Sequence, residues 1–351
     1  MEFAQTILNW YNIYKRELPW RGESDPYKIW ISEVILQQTR VDQGKSYYYK
    51  FVENFPKVSD LANADEDFVM KCWQGLGYYS RARNLQFSAK YITKELNGEF
   101  PNSYKKLLEL KGVGPYVAAA VASIAFQEKV AAIDGNVYRV LGRIFGIDKA
   151  IDTSAGKKYY QQLGNELIKN SNAGDFNQAV MEFGALHCSP KQPKCESCPF
   201  SENCIALRDN KIEQLPVKSK KVKQRDRFFH YLLVNSNDEI MIGKRTGKDI
   251  WNSLYEFPLV ETPQKMEPEA FLSSEYFPEK LKSCNLNWKG VQNMKPHILS
   301  HQRIHAQFYE FEIEGELPVF GEYSVIKKKD IANFAFPRLI ELYLTNSHKM
   351  G

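Results

Sequence analysis

The chain has 351 residues and a mass of 40.7 kDa, more than one small domain requires. Hydrophobic residues (43%) and charged residues (25%) stand in ordinary globular proportion, which excludes a disordered chain. The net charge of +5 is lopsided: residues 1–225 carry 32 Lys and Arg against 25 Asp and Glu, residues 226–351 carry 15 against 17, so a polyanion is expected to bind the first part. The N-terminus has neither a basic n-region nor an apolar h-region. The longest nearly apolar run, Val117–Phe126, is half of the roughly 20 residues that span a bilayer. A cytoplasmic protein with no membrane segment, in a reducing compartment, is expected.

Residues 1–210 read as helices. Phe3, Ile7, Leu8, Tyr11 and Tyr14 recur at helical spacing, and Asp25-Pro26 reads as an N-cap with proline at the first helical position of a helix through Tyr27–Gln38. That helix sets Glu33 among Ile29, Trp30, Ile31, Val34, Ile35 and Leu36. A carboxyl lodged there holds its proton to high pH, as a general acid does; a glutamate on the wet face of an amphipathic helix is the plainer alternative. Further helices are expected near 43–54, 65–74, 80–96, 103–110, 115–127, 134–145, 154–169 and 175–186. Between the helices at 103–110 and 115–127 lies Gly112-Val113-Gly114, a turn whose following helix N-terminus suits a phosphate, unless it is an ordinary helical corner. Asp134 follows Ala131-Ala132-Ile133 and reads as an N-cap that could also serve in catalysis.

Four of the six cysteines fall in one loop, Cys188-x6-Cys195-x2-Cys198-x5-Cys204, with Pro190, Pro193 and Pro199 stiffening its turns. So compact a four-thiolate loop suits a [4Fe–4S] cluster; structural zinc is the alternative. Residues 208–227 form a polar stretch rich in Lys and Arg, most simply a solvated tether. Thereafter the pattern changes: Phe228–Val234 and Ile240–Gly243 read as strands around a turn at Asn235–Glu239, residues 304–313 as a long strand, and Phe336–Leu344 as a closing helix. His297, His301 and His305 stand four apart, but the strand-like run from Ile304 argues against a helical metal site.

The cysteine spacing, the Gly112-x-Gly114 turn and the downstream Asp134 together resemble the helix–hairpin–helix endonuclease III superfamily of DNA glycosylases over about residues 15–205. Leu18-Pro19-Trp20-Arg21, Ser32–Val41, Gly75–Arg83 and Met181–Ala185 closely resemble its A/G-specific adenine glycosylase branch. That resemblance implies an all-α glycosylase domain at 1–210, with a six-helix module at about 26–130 and a cluster module from 1–25 plus 131–210. A basic linker at 211–227 and an α+β Nudix-like domain at 228–351 would follow. It implies excision of adenine mispaired with 8-oxoguanine or guanine in double-stranded DNA, by a monomer associated with the nucleoid. Glu33 would protonate the base and Asp134 would stabilise the sugar cation, supported by Tyr116 and Asn136. Trp20, Arg21 and Leu36 would line the adenine pocket. Gln38, Thr39, Leu76, Tyr78, Gly112 and Gly114 would contact DNA, with Gln38 and Tyr78 pushing into the duplex. Cys188, Cys195, Cys198 and Cys204 would hold one [4Fe–4S] cluster, orienting Lys191 and Lys194 toward DNA.

Bifunctional members of the superfamily carry a lysine two residues after the second hairpin glycine, where this chain has Tyr116, so no Schiff base and no strand cleavage are expected there. Lys244-Arg245 and Trp251–Pro258 resemble the Nudix-like domain, yet no glutamate-rich metal box follows, so a binding module is expected in place of a pyrophosphatase. Pro296–His301 resembles the loop that reads 8-oxoguanine through Ser300 and His301, with Leu299 where phenylalanine is usual. A lesion-binding protein without activity is the non-enzymatic alternative.

Overall fold

The computed structural model describes residues 3–219, 224–318 and 320–347, so part of the expected linker, residues 220–223, lies outside the described residues. Among the described residues the α-helices are α1 (Phe3–Tyr14), α2 (Pro26–Leu36), α3 (Val41–Asn54), α4 (Val58–Asn63), α5 (Glu66–Trp73), α6 (Ser80–Glu95), α7 (Tyr104–Leu107), α8 (Pro115–Phe126), α9 (Gly135–Ile144), α10 (Ser154–Ile168), α11 (Ala173–Leu186), α12 (Ile205–Arg208), α13 (Pro268–Leu272), α14 (Glu279–Lys282) and α15 (Arg338–Ser347). The strands are β1 (Arg225–Ser236), β2 (Glu239–Lys244), β3 (Tyr255–Glu256), β4 (Leu259–Thr262), β5 (Leu286–Asn293), β6 (His297–Ile298), β7 (Gln302–Ile313) and β8 (Tyr323–Lys327). By packing, Met1–Asn63 and Asn84–Lys220 form one unit, and Ala64–Arg83 and Lys221–Gly351 form another. The packing places residues 64–83, expected within the helical domain, in the second unit.

The first unit is helical. α2 is capped by Asp25, whose carboxylate accepts from Tyr27 N at 2.9 Å, and it is buried from Tyr27 to Ile35 apart from Lys28. It packs on α8, whose Val117–Ser123 stretch is buried and mostly alanine, small enough to let the helix axes approach. A second core joins α1, α9, α10 and α11 through Ile7, Val140, Leu141, Tyr160 and Phe183. The helix expected at 103–110 is a single turn, α7, continued by turns to Gly112. α4 and α12, of six and four residues, are too short to carry a periodic signal.

The second unit is a mixed sheet in the order β3-β2-β1-β7-β5, with β4 beside β1, β6 beside β7 and β8 beside β2. β1 and β7 run parallel and every other pair is antiparallel. Phe229, Tyr231 and Leu233 join one core with α15, while Leu232 and Val234 join another with Phe271 and Leu281 of α13 and α14. A strand covered on both faces has no wet side, which is why β1 reads as an unbroken apolar run and not as an alternation. The turn at 235–239 is shorter than expected. Ser236 pairs with Glu239, leaving Asn237 and Asp238 as the loop, with Asn237 at φ 47°.

Candidate active site

α2, the first turn of α8, the N-cap of α9 and one face of α11 surround a cavity of about 180 Å³ in the first unit. A cavity of roughly 150 Å³ admits a benzene ring, so this one has room for a base-sized ring system. Glu33, Tyr116, Asp134, Asn136, Trp20, Arg21, Leu36 and Thr39 line it. Gln38, Gly112 and Gly114 do not. Gln38 is exposed with φ 59° in the turn after α2, and Gly114 is the N-cap of α8. Gly112, at φ 82°, leaves no room for a Cβ, which would stand 2.5 Å from that of Asn84.

Glu33 is 6% exposed and its Oε2 accepts the Tyr116 hydroxyl at 2.5 Å. Burial pushes its pKa up to about 7, with Asp134 adding to the rise and the Tyr116 bond and Arg21 opposing it. Asp134 is also raised by burial, but it faces more donors. Oδ1 accepts Val137 N at 2.8 Å, Oδ2 accepts Asn136 Nδ2 at 2.8 Å, and the positive end of α9 and Arg139 add to these. The carboxylate therefore suits Asp134 and the proton suits Glu33. Asn136 is held in turn by Arg139 Nη2, which donates to its Oδ1 at 2.8 Å and to Gly184 O at 2.6 Å. A Cβ on Gly184 would lie 2.6 Å from that of Asn136, so the glycine makes room for the support of the aspartate.

Arg139 Nε also donates to Cys188 O at 2.7 Å, and one turn on, Arg143 Nη1 donates to Cys188 Sγ at 3.5 Å and to Ser189 O at 2.8 Å. Cys188, Cys195, Cys198 and Cys204 are unpaired thiols lining one shared cavity. Burial, with a smaller contribution from the charges of the other three cysteines and against a backbone bond from Phe200, pushes the Cys198 thiol up to about 11. Among the described residues no three His, Cys, Asp or Glu side chains are placed to hold a single metal ion. Four thiols from one short loop along one shared cavity are a donor set that fits an iron–sulfur cluster.

α11 supplies residues that the sequence reading did not assign. Gln178, Met181, Glu182 and Ala185 all line the cavity, and their i, i+3, i+4, i+7 spacing is the signal that would have placed them on one face. Met181 Sδ accepts from the Tyr116 hydroxyl at 3.3 Å.

The second unit holds the other expected contacts. Tyr78 follows Gly75 and Gly77, both at positive φ, and is itself at φ 47° and 52% exposed; its hydroxyl lies 3.1 Å from Ser300 Oγ. Leu76 is buried. Ser300 and His301 are exposed in the tight turn between β6 and β7, closed by Leu299 N donating to Gln302 O at 2.8 Å. Leu299 packs against the sheet core. His297 lies on β6, His301 in the turn and His305 on β7, where it pairs with Asp226 at 2.7 Å, so the three are not on one helix.

Comparison with known proteins gives the class: DNA glycosylases of base excision repair. Residues 31–167 match the HhH-GPD superfamily base excision DNA repair protein family, and residues 230–346 match the NUDIX domain family. The chain belongs to the adenine DNA glycosylases, enzymes that cleave the N-glycosyl bond of adenine in base excision repair. It is 35% identical to the adenine DNA glycosylase of Buchnera aphidicola subsp. Schizaphis graminum over 86% of this chain and 85% of the relative. It is 31% identical to that of Buchnera aphidicola subsp. Acyrthosiphon pisum over 99% and 98%. With the human adenine DNA glycosylase it shares 40% identity over 61% of this chain and 41% of the relative. A thermostable thymine-DNA glycosylase structure superposes with a TM-score of 0.55 at 33% identity, covering 59% of this chain and 95% of the other. A trapped endonuclease III–DNA covalent intermediate superposes at 0.52 and 22% identity, covering 59% and 94%, a likeness of fold. No helix among the described residues is long and apolar enough to cross a membrane.

Proposed function

We propose that this glycosylase is monofunctional, acts as a monomer, and removes adenine lying opposite 8-oxoguanine or guanine. The observation that carries the reading is the buried Glu33–Tyr116 pair facing Asp134 across a base-sized cavity. The adenosine leaves the stack, at a cost on the order of a few kcal/mol, and its base enters the cavity between Trp20, Arg21 and Leu36. Glu33 gives its proton to adenine N7. The C1′–N9 bond breaks with its electron pair going to the base, leaving an oxocarbenium-like sugar beside the Asp134 carboxylate. Water adds to C1′ and returns a proton to Glu33. Tyr116 offers a hydroxyl that bonds Glu33 and Met181, and no amine, so the sugar is not captured there as a Schiff base.

Gly112, Gly114, Gln38, Thr39 and Leu76 belong to the DNA-binding surface. Tyr78 and Ser300, already hydrogen-bonded to each other, form with His301 the element that senses the base opposite adenine. Residues 228–351 serve as the reading domain. The four cysteines hold one [4Fe–4S] cluster, which when bound fixes the loop carrying Lys191 and Lys194.

The test is the pH dependence of single-turnover adenine release. The acid must be protonated to act, so the rate is full below Glu33's pKa and falls as pH rises through about 7. Glu33→Gln loses about 10²- to 10⁴-fold or more while still binding the mismatched duplex. Full activity in that variant would falsify the assignment.

A further inference from the structure

The cavity wall holds two guanidinium groups, one of which acts on an acid that has to keep a proton. Arg16 and Arg21 both line the base cavity, and the charge of Arg21 works against protonation of Glu33. What offsets them is Glu182 on α11, a buried carboxylate with four donors. Its Oε1 accepts Arg16 N at 2.9 Å and Arg16 Nε at 2.8 Å, while Oε2 accepts Arg16 Nη2 and Arg21 Nη2, each at 2.8 Å. Burial alone would raise the pKa of Glu182; the Arg16 bonds and both arginine charges bring it below the ordinary range, so it is ionised. Arg21 is gripped from its other side too. Its Nη1 donates to the Tyr11 hydroxyl at 2.5 Å, which passes its own hydrogen to Gln178 Oε1 at 2.9 Å.

We propose that Glu182 is a positioning residue for the general acid: it pins Arg21 to the cavity wall and cancels guanidinium charge that would otherwise draw the proton from Glu33. The titratable and charged groups facing Glu33 are Tyr116 from α8, Asp134 at the start of α9 and Arg21 from the segment after α1. Only Arg21 is cationic, and Glu182 with Arg16 sets its effective charge. The trio Arg16, Arg21 and Glu182 sums to +1. Losing the carboxylate makes it +2, and losing Arg16 makes it zero, so the two changes push Glu33 in opposite directions.

This inference rests on Glu33 being the general acid. The experiment measures single-turnover adenine release across about pH 5 to 9 with the full-length enzyme and a duplex carrying adenine opposite 8-oxoguanine. Glu182→Gln is expected to move the falling limb to lower pH by about one unit, a roughly tenfold loss above the limb. Arg16→Gln moves it to higher pH, and Glu182→Asp restores the wild-type profile. Should Glu182→Gln fail to fold, the upward shift in Arg16→Gln, at a side chain 34% exposed, still decides. An unmoved limb in Arg16→Gln, or shifts of the same sign in both variants, overturns the proposal. If Glu33→Gln were itself active, the general-acid reading would fall first; an inactive Glu33→Gln with unmoved limbs elsewhere overturns this inference alone.

Discussion

Glu33 and Asp134 have the same functional group, and what separates them is the donors around them. Asp134 accepts from Val137 N and the Asn136 amide at the start of a helix, whereas Glu33 receives one hydroxyl and lies in the field of the aspartate. Keeping Glu33 neutral has a thermodynamic consequence. Its folded-state pKa of about 7 stands above its ordinary 4.5, so the stability tied to its proton is complete below 4.5 and is lost as pH rises through 7. That interval corresponds to roughly 3 kcal/mol. Glu33→Gln, which keeps the shape and can still accept from Tyr116, is therefore expected to raise stability at pH 8 by up to about 3 kcal/mol and by little at pH 4.5. Chemical denaturation at the two pH values checks this, and an equal effect at both contradicts it. The burial of Glu33 was legible because six apolar residues crowd it within one helix. Glu182 was not, because its meaning depends on Arg16 and Arg21, more than 160 positions away in sequence.

At the scale of elements, the segment 64–83 is the informative one. Its helix α5 packs with the C-terminal sheet: Asp67 accepts Lys244 Nζ at 2.5 Å and the Tyr255 hydroxyl at 2.8 Å, and Lys71 Nζ donates to Phe334 O at 3.0 Å. Tyr79 donates to Phe336 O at 3.3 Å, immediately after the Tyr78 that meets Ser300. Deleting residues 228–351 therefore removes the partners of this segment along with the turn that carries Ser300 and His301. Amide hydrogen exchange across residues 66–79 is expected to accelerate in the truncated protein while α2 and α8 keep their protection; unchanged exchange at 66–79 would contradict the packing. The longer helices were legible from caps and periodicity, down to the Asp25-Pro26 start of α2, whereas α4, α12, α13 and α14, of four to six residues, were not. The membership of α5 was not, since its own apolar stripe does not say which core covers it. Strands β3, β4, β5, β6 and β8 were also missed, being two to eight residues long and without clean alternation.

Across the whole molecule, the charge asymmetry now has a physical setting. The helical part with the +7 excess carries the hairpin, the cysteine loop and the base cavity, and the part with −2 presents one narrow exposed turn at Ser300 and His301. On the proposed reading a polyanion is held by the first and inspected by the second, and the second then needs no broad basic face. Base removal without strand cleavage is the claim on which the rest depends, and one assay addresses it. Duplexes with adenine opposite 8-oxoguanine or guanine are incubated with the full-length protein, and each product is divided and analysed with and without alkali. Strand breaks only after alkali, at adenine and more readily opposite 8-oxoguanine, are the expected result. Breaks of equal yield without alkali, or no loss of adenine from either duplex, would contradict it.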